Sequence, residues 1–268
     1  MSNPFQILEP TCISFSGGRT SAYMLYKVLE AHDMSLPAEA VVCFANTGKE
    51  DEATLQFVHD CEKHWNVPIV WLEYQDAEES KDRWKQVTFE TASRNGEPFE
   101  AVIRKKNYLP NPVARFCTGE MKVLTIERYM KSIGISEFET MVGIRADEQR
   151  RVAKMRETKL TPLVDAGIVQ SDVQNFWKNH RFNLGLKFIG GITTLGNCDL
   201  CFLKGPGQVM AIIKDDQNRA IWWANMEEKI GATFRSDRPS YSSMMKFNKE
   251  QMDMFDSDVE GLACFCGD

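Results

Sequence analysis

Short apolar runs alternate with amphipathic segments over the first part of the chain. The runs Thr11–Phe15, Ala38–Ala45 and Val67–Leu72 are rich in β-branched and aromatic side chains, which predicts three buried strands. Between them, apolar residues recur at helical spacing over Thr20–His32 and Asp51–Trp65. Strands and helices in this order pair as a parallel sheet covered by helices, so we predict an α/β fold.

The pattern is looser in the middle of the chain. Ala77–Gln86 predicts a helix and Ser93–Pro98 a turn. The basic run Ile103–Tyr108 predicts a solvated loop, with a lid or a contact to a phosphorylated or nucleic-acid substrate as the alternative. Arg115–Ile133 then predicts a helix, and Phe138–Ile144 predicts a fourth strand.

The last third of the chain predicts helices. Ser171 or Asp172 is the expected N-cap of one of them, which is a structural role. Further helices are expected over Gln208–Gly231, and the tryptophan pair in this segment is expected in the core rather than as a stacking platform. The expected inward-facing residues are Val209, Ile212, Ile213, Trp222 and Trp223.

Composition limits the class of protein. The chain has 268 residues, of which 43% are hydrophobic, which is enough for one large domain or one domain with an appendage. A net charge of −6 argues against a protein that coats nucleic acid generally, although local basic patches remain compatible with it. No apolar run has the length of a membrane span and the first residues lack a signal-peptide pattern, so we expect a cytoplasmic protein without a membrane partner.

Eight cysteines in a reducing compartment are not expected to form disulfides. Cys12, Cys43 and Cys61 fall in predicted buried elements, where they are expected to fill the core. The other five lie beside glycines and polar residues, where thiolates can be presented to a ligand. They are Cys117, Cys198, Cys201, Cys264 and Cys266.

The junction of the first strand and first helix is the strongest candidate for a binding site. Ser16–Ser21 contains two glycines that allow a sharp turn, and its hydroxyls and the helix N-terminus suit a phosphate or pyrophosphate. A plain strand-to-helix turn with a Ser/Thr cap is the alternative. Neither the Gly-x-x-x-x-Gly-Lys-Ser/Thr loop nor the Gly-x-Gly-x-x-Gly turn is present here.

The sequence Ser-Phe-Ser-Gly-Gly-Arg-Thr-Ser at 14–21 resembles the signature of the PP-loop ATP pyrophosphatases and their relatives, the phosphoadenylyl-sulfate (PAPS) reductases. Three further stretches are similar to that superfamily in the same order: NTGKEDEAT at 46–54, RFCTGEMK at 115–122 and GIRADEQRR at 143–151. The resemblance implies a doubly wound, mostly parallel, adenine nucleotide α-hydrolase-like sheet. It divides the chain into a nucleotide-binding domain, 1–165, and a helical region with metal-binding cysteines, 166–268.

The resemblance implies ATP or PAPS as ligand, with Mg²⁺. Arg145 is expected to bind an α-phosphate or sulfate, with Arg151 as second choice, and Lys122 to face the same cavity. Asn46 stands where the family usually has Asp, which makes a magnesium role there doubtful. The implied nucleotide-binding set is Ser14, Ser16, Gly17, Gly18, Arg19, Thr20, Ser21, Phe44, Ala45, Asn46, Thr47, Gly48, Gly143 and Arg151.

The cysteines outside the predicted core suggest a metal centre. Cys198 and Cys201 form a Cys-x-x-Cys pair that can grip one metal from a single turn. With Cys117 and Cys264, the resemblance favours a 4Fe–4S cluster, while structural zinc and free thiols remain alternatives. The choice between Cys264 and Cys266 as fourth ligand stays open, and a leftover Cys266 is a candidate nucleophile.

These expectations lead to an enzyme that adenylates a substrate with pyrophosphate release for sulfur transfer. The first alternative is a PAPS or APS reductase that releases sulfite, and the second is a nucleotide-binding partner subunit without turnover. The sulfur acceptor is open and includes nucleic acid, as is the question of a homodimer.

Overall fold

The computed structural model describes residues 3–189, 192, 193 and 195–250. A five-stranded sheet lies at its centre, with the strand order β4-β3-β2-β1-β5. Strands β1, β2, β3 and β5 are parallel and only the edge strand β4 is antiparallel. The α/β fold with a mostly parallel sheet is therefore confirmed. The strands are β1 Thr11–Phe15, β2 Ala40–Asn46, β3 Ile69–Glu73, β4 Lys85–Val87 and β5 Glu139–Val142, and a separate hairpin pairs β6 Phe188–Ile189 with β7 Ile192–Thr193.

Helices cover and flank this sheet. They are α1 Arg19–Ala31, α2 Glu52–Trp65, α3 Glu97–Lys106, α4 Phe116–Thr118, α5 Leu124–Ser132, α6 Gln149–Met155, α7 Pro162–Asp165, α8 Gln170–Asn179, α9 Pro206–Asp215, α10 Asn218–Ile230 and α11 Tyr241–Glu250. A 3₁₀ turn spans Ser80–Asp82, and a π-helical turn, Gly119–Val123, joins α4 to α5. Across the described ranges, no helix combines the length and apolar character needed to cross a membrane.

Side chains from the central strands are buried on both faces of the sheet. Ile13 and Phe15 belong to the large core that includes the inner sides of α1 and α2. Because successive strand residues point to opposite faces, Cys12 and Cys43 pack on the other side, in a smaller cluster with Met130 of α5. The predicted core roles of Cys12, Cys43 and Cys61 are confirmed, since each is fully buried.

Three local predictions were wrong. The basic run after Ile103 lies mostly within α3, where cationic side chains at a helix C-terminus are favoured by the helix dipole. Residues 77–86 form a 3₁₀ turn and β4 instead of a helix. Helix α8 starts after Val169, so neither Ser171 nor Asp172 is its N-cap; Asp172 instead accepts a hydrogen bond from the Val169 N–H at 2.9 Å.

Glycine is required where β1 turns into α1. Gly17 has φ +77°, and a Cβ placed there would lie 2.7 Å from Thr54 Cγ2, in the first turns of α2. Gly134 offers a comparison, because it has φ +86° but a Cβ placed on it would meet no atom within 4 Å. The two positions therefore separate backbone strain from steric crowding.

We expect Gly17→Ala to lower the free energy of unfolding more than Gly134→Ala does. Both substitutions carry the strain of a left-handed backbone, about 1 kcal/mol, and only the first adds overpacking of about 1–3 kcal/mol. Urea unfolding followed by circular dichroism measures both. Equal losses would contradict the close packing of this turn against α2.

Candidate functional site

The β1–α1 turn has a preorganised set of hydroxyl groups. The Ser16 N–H donates to Ser21 Oγ at 3.2 Å, and the two serine hydroxyl oxygens lie 2.9 Å apart. The N-cap of α1 is Gly18, which supplies no side-chain cap. The first-turn amides of α1 are therefore not taken up by a capping side chain, which is the usual condition for anion binding at a helix start.

The end of β5 reaches this turn. A Cβ on Gly143 would lie 2.8 Å from Ser21 Cα, so the two segments touch through backbone. Arg145 is 7% exposed; its Nη1 donates to Thr20 Oγ1 at 3.2 Å and its Nε to Asp147 Oδ1 at 3.0 Å. Arg145 thus lies just after β5 and beside the β1–α1 turn, with its guanidinium held by neighbours on both sides.

Arg151 and Arg19 have other partners. The Nη1 of Arg151 lies 2.6 Å from Glu148 Oε1. Arg19 Nε donates to Asn183 Oδ1 at 2.8 Å, and its Nη2 donates to the Leu184 carbonyl at 3.0 Å. The Arg19 side chain therefore ties the turn to a later segment of the chain.

Asn46 at the end of β2 is completely buried and has a structural hydrogen-bonding role. Its amide donates to Glu73 Oε1 at 2.7 Å and to the Ser93 carbonyl at 2.8 Å, and its Oδ1 accepts from the Gly48 N–H at 3.1 Å. An aspartate here would place a second carboxylate against Glu73, whereas an amide supplies the donor that Glu73 needs. This pairing explains why the residue is Asn.

Phe44 and Ala45 lie in β2 between β1 and β3 and are almost entirely buried. The Phe44 ring packs edge-on against Trp71, with centroids 4.9 Å apart. Ser14, in β1, is partly buried. Any contact of Phe44 with a ligand is therefore restricted to backbone groups.

Glu50, which sequence reasoning missed, is a buried carboxylate at the same edge. Its Oε2 accepts hydrogen bonds from the Thr47 N–H at 2.9 Å and the Thr47 hydroxyl at 2.7 Å. Its Oε1 lies 3.6 Å from Lys122 Nζ and accepts no hydrogen bond from the described residues. The Glu50 side chain is 2% exposed, so its charge depends on Lys122 for compensation.

Three cysteines interact electrostatically with the Lys122 ammonium. Burial lowers the pKa of Lys122, but the Glu50 carboxylate and the thiols of Cys198, Cys117 and Cys201 outweigh it, and the net pKa lies above its ordinary value. Lys122 therefore stays cationic at neutral pH. The π-helical turn Gly119–Val123 carries the lysine.

Two of these thiols, those of Cys117 and Cys198, have raised pKa values that favour the protonated state. Burial, then Glu50 and Cys201, raise the pKa of Cys198 well above the usual range, against the opposing effect of Lys122. Burial also raises the pKa of Cys117. Thr47 Oγ1 lies 3.4 Å from Cys198 Sγ, so the loop between β2 and α2, residues 47–51, which we call the β2 loop, touches this thiol directly.

A buried ion pair fixes the Cys-x-x-Cys turn to the β2 loop. Lys49 Nζ lies 3.2 Å from Asp199 Oδ2, and the two side chains are only 8% and 7% exposed. The Asp199 N–H donates to the Lys49 carbonyl at 2.8 Å, while its Oδ1 accepts from Trp223 Nε1 at 2.9 Å. A β-bridge between Glu50 and Cys198 adds a further link.

The described residues do not by themselves form a metal site. Within 3–189, 192, 193 and 195–250, no three His, Cys, Asp or Glu side chains are arranged to hold a metal ion. Cys264, the predicted fourth ligand, and Cys266, the candidate nucleophile, lie outside these ranges. The cluster and the nucleophile therefore stay predictions.

Comparisons with known proteins give relatives but no assigned activity. No family model matches the chain. It is 28% identical over 212 residues to an uncharacterized nin region protein, ORF290, of Escherichia phage lambda, which covers 76% of this chain and 70% of the relative. It is 27% identical over 152 residues to the uncharacterized protein MJ0066 of Methanocaldococcus jannaschii, which covers 56% of this chain and 26% of that protein.

We expect Asp199→Asn to lower the free energy of unfolding by about 3–5 kcal/mol, because it leaves the Lys49 charge buried without its partner. The double variant Lys49→Met/Asp199→Asn removes that charge, keeps an oxygen acceptor for Trp223, and should recover part of the loss. Urea unfolding of the wild type and the variants measures this coupling.

The exposed pair Lys229–Glu100, whose side chains are 59% and 39% exposed, serves as the control. Glu100→Gln should change the free energy of unfolding by less than about 1 kcal/mol. If Lys49→Met gives no recovery in the Asp199→Asn background, the pair is not energetically coupled.

Proposed function

We propose that the chain is a PAPS-reductase-family PP-loop enzyme that binds ATP and activates a substrate by adenylation, with release of pyrophosphate, for sulfur transfer. The observation that carries the proposal is the convergence of four motif segments at one sheet edge. Gly143 and Arg145 touch the turn at Thr20 and Ser21, and Lys122 faces Glu50 of the β2 loop. The carboxyl edge of a parallel sheet is the usual ligand position in α/β proteins.

The proposed fold is more specific than the mostly parallel sheet that is observed. Buried clusters on both faces of the sheet support a doubly wound, adenine nucleotide α-hydrolase-like arrangement. In such an arrangement the β1–α1 turn takes the β,γ-phosphates. The uncapped start of α1 supplies backbone donors beside the Ser16 hydroxyl, while the Ser21 hydroxyl donates to the Gly18 carbonyl at 3.0 Å and so shapes the turn.

Arg145 is the proposed ligand of the α-phosphate. Its planar guanidinium is already held beside Thr20, and its second partner, Asp147, is 36% exposed and can turn to solvent when a phosphate takes its place. Attack of a substrate oxygen on the α-phosphorus then expels pyrophosphate. Because Lys122 keeps its positive charge, it stabilises negative charge that develops nearby.

Magnesium, when bound with the nucleotide, would neutralise charge on the phosphates. Glu50 Oε1, which accepts no hydrogen bond from the described residues, is a carboxylate oxygen suited to such an ion. Asn46 is unsuited, because its amide and its oxygen are committed to Glu73, Ser93 and Gly48.

We also propose the 4Fe–4S cluster, on Cys117, Cys198, Cys201 and Cys264. The support is limited to three cysteines that interact with one ammonium, whose positive charge opposes but does not outweigh the rise in pKa that burial gives Cys117 and Cys198. The described residues do not present a complete ligand set, so no step of the reaction is derived through the cluster. Zinc and free thiols are the competing assignments.

Nucleotide binding is tested by calorimetry with ATP and with PAPS, alongside assays for pyrophosphate and sulfite. We expect tighter binding of ATP, because PAPS has no β,γ-pyrophosphate for the turn, and we expect Arg145→Gln to weaken ATP binding about tenfold or more, from the loss of a charge-assisted contact. Arg156→Gln, which removes an exposed guanidinium paired with Asp165, is the control and should leave ATP binding unchanged.

Each outcome decides between the candidate functions. Sulfite release from PAPS without pyrophosphate release from ATP would establish the reductase instead. Tight ATP binding without product from any substrate would favour the partner-subunit alternative. Binding of neither nucleotide to a folded chain would refute the proposal.

The metal proposal has its own test. A sample purified without oxygen should be brown and contain about four irons per chain, and Cys198→Ser should lose most of that iron. Cys12→Ala, a buried cysteine on the opposite side of β1, is the control and should keep it. A colourless protein with one zinc would contradict the iron–sulfur assignment.

A further inference from the structure

A positive surface lies beside the candidate site, on the segment that leaves β5 and returns to it. Residues 149–159, which we call the α6 surface, contain five basic side chains and one acidic one, in a chain whose net charge is −6. Val152 is the buried residue that anchors α6, and most of the surrounding side chains are exposed. Positive charge is therefore concentrated on an outward-facing segment of an acidic protein.

Part of this charge has no acidic partner. Arg151 pairs with Glu148 and Arg156 with Asp165. For Arg150, Lys154 and Lys159 there is no carboxylate oxygen within 4.0 Å among the residues whose positions are described. Arg150 and Lys154 are exposed and one helical turn apart, so both face solvent on the same side of α6.

The backbone keeps this surface at the same edge of the sheet as the site. Helix α6 begins shortly after Arg145, whose guanidinium contacts Thr20. Leu160 then pairs with the outer side of β5, where its N–H donates to the Thr140 carbonyl at 2.9 Å and its carbonyl accepts from the Val142 N–H at 3.0 Å. The segment that carries the α6 surface is therefore anchored to β5 at both of its ends and lies next to the candidate site.

We propose that the α6 surface binds the phosphate backbone of a nucleic acid. Exposed, unpaired Lys and Arg side chains suit repeated, solvated phosphates, whereas a small nucleotide is bound by converging buried groups such as Arg145. A seven-residue helix is about 10 Å long, which matches about three phosphates of one strand. Met155 and Leu160, 38% and 39% exposed, add apolar contacts for sugars or bases at the end of the helix.

Binding at this surface needs no nucleotide in the β1–α1 turn. Only the further role of the bound nucleic acid, as the sulfur acceptor that is presented to the site, rests on the proposed function. The two ideas are therefore separable by experiment.

The test measures fluorescence anisotropy of a labelled oligonucleotide of about 20 nucleotides, as single-stranded DNA, single-stranded RNA and duplex DNA, between about 50 and 200 mM salt. The full chain is used. For Arg150→Gln/Lys154→Gln we expect about tenfold weaker binding and a salt slope smaller by about two, one for each lost phosphate contact. Lys178→Gln/Lys214→Gln removes two exposed lysines from α8 and α9 and should leave both quantities unchanged.

Salt-dependent binding of any of the three oligonucleotides that weakens only in the α6 variant supports the proposal. It is overturned by the absence of binding, by equal weakening in both double variants, or by binding to vesicles with about 30% phosphatidylserine but to no oligonucleotide. The proposal is also overturned if carbodiimide cross-links Lys154 to acidic residues 253–260 of the same chain and added oligonucleotide does not reduce that cross-linking. Calorimetry with ATP on the α6 variant is expected to match the wild type; failure of ATP binding in both, with oligonucleotide binding intact, refutes the proposed function alone.

Discussion

Three buried carboxylates shape the carboxyl edge of this sheet, because an ionised group without water needs donors supplied by the protein. Each of them draws in a segment that is distant along the chain. Glu73 brings the loop at Ser93 against Asn46, and Asp199 brings the Cys-x-x-Cys turn against Lys49. The third, Glu50, is satisfied on one oxygen by Thr47 and balanced on the other by Lys122.

This arrangement joins the strand-end loops and the thiols into one unit. The β2 loop contacts the thiol of Cys198 through Thr47 and holds the following residue through Lys49. Any ligand that displaces the β2 loop therefore also acts on the cysteine turn. Separating the two charges of a buried ion pair leaves each of them without compensation, at a high cost in free energy. We therefore expect the β2 loop and the Cys-x-x-Cys turn to move together rather than independently.

Periodicity predicted the central elements well, because strands β1, β2 and β3 and helices α1 and α2 bury regular apolar faces that are visible in the sequence. It failed where tertiary contacts decide the local structure. The short edge strand β4 forms because Lys85 contacts Glu73 and Val87 pairs with Trp71. Both partners belong to β3, so no local pattern in residues 77–86 predicts these contacts. Helix α3 was missed because its charged C-terminal turn resembles a loop.

The sequence also allowed the relative positions of the candidate-site segments to be predicted, since these follow from the order of the strands. Motif order indicated that the turn, the β2 loop and Arg145 lie together, and strand connectivity alone brings them to one edge. The roles of Glu50, Glu73 and the Lys49–Asp199 pair depend on contacts between distant segments, which no local pattern shows. A buried amide at Asn46, in a position where an acid was expected, was the one local sign of an acidic neighbour.

The π-helical turn at Gly119–Val123 has an evolutionary consequence. Cys117 and Lys122 are five residues apart, a spacing that a regular α-helix would place about 140° apart around its axis, whereas the wider turn brings residues at this spacing towards the same side. The helix therefore carries one surplus residue. Deletion of a single codon between these two residues would restore a regular helix and leave them four apart, about 40° around its axis, so a lineage could gain or lose the wider turn in one step while the ammonium stays on the same face as Cys117.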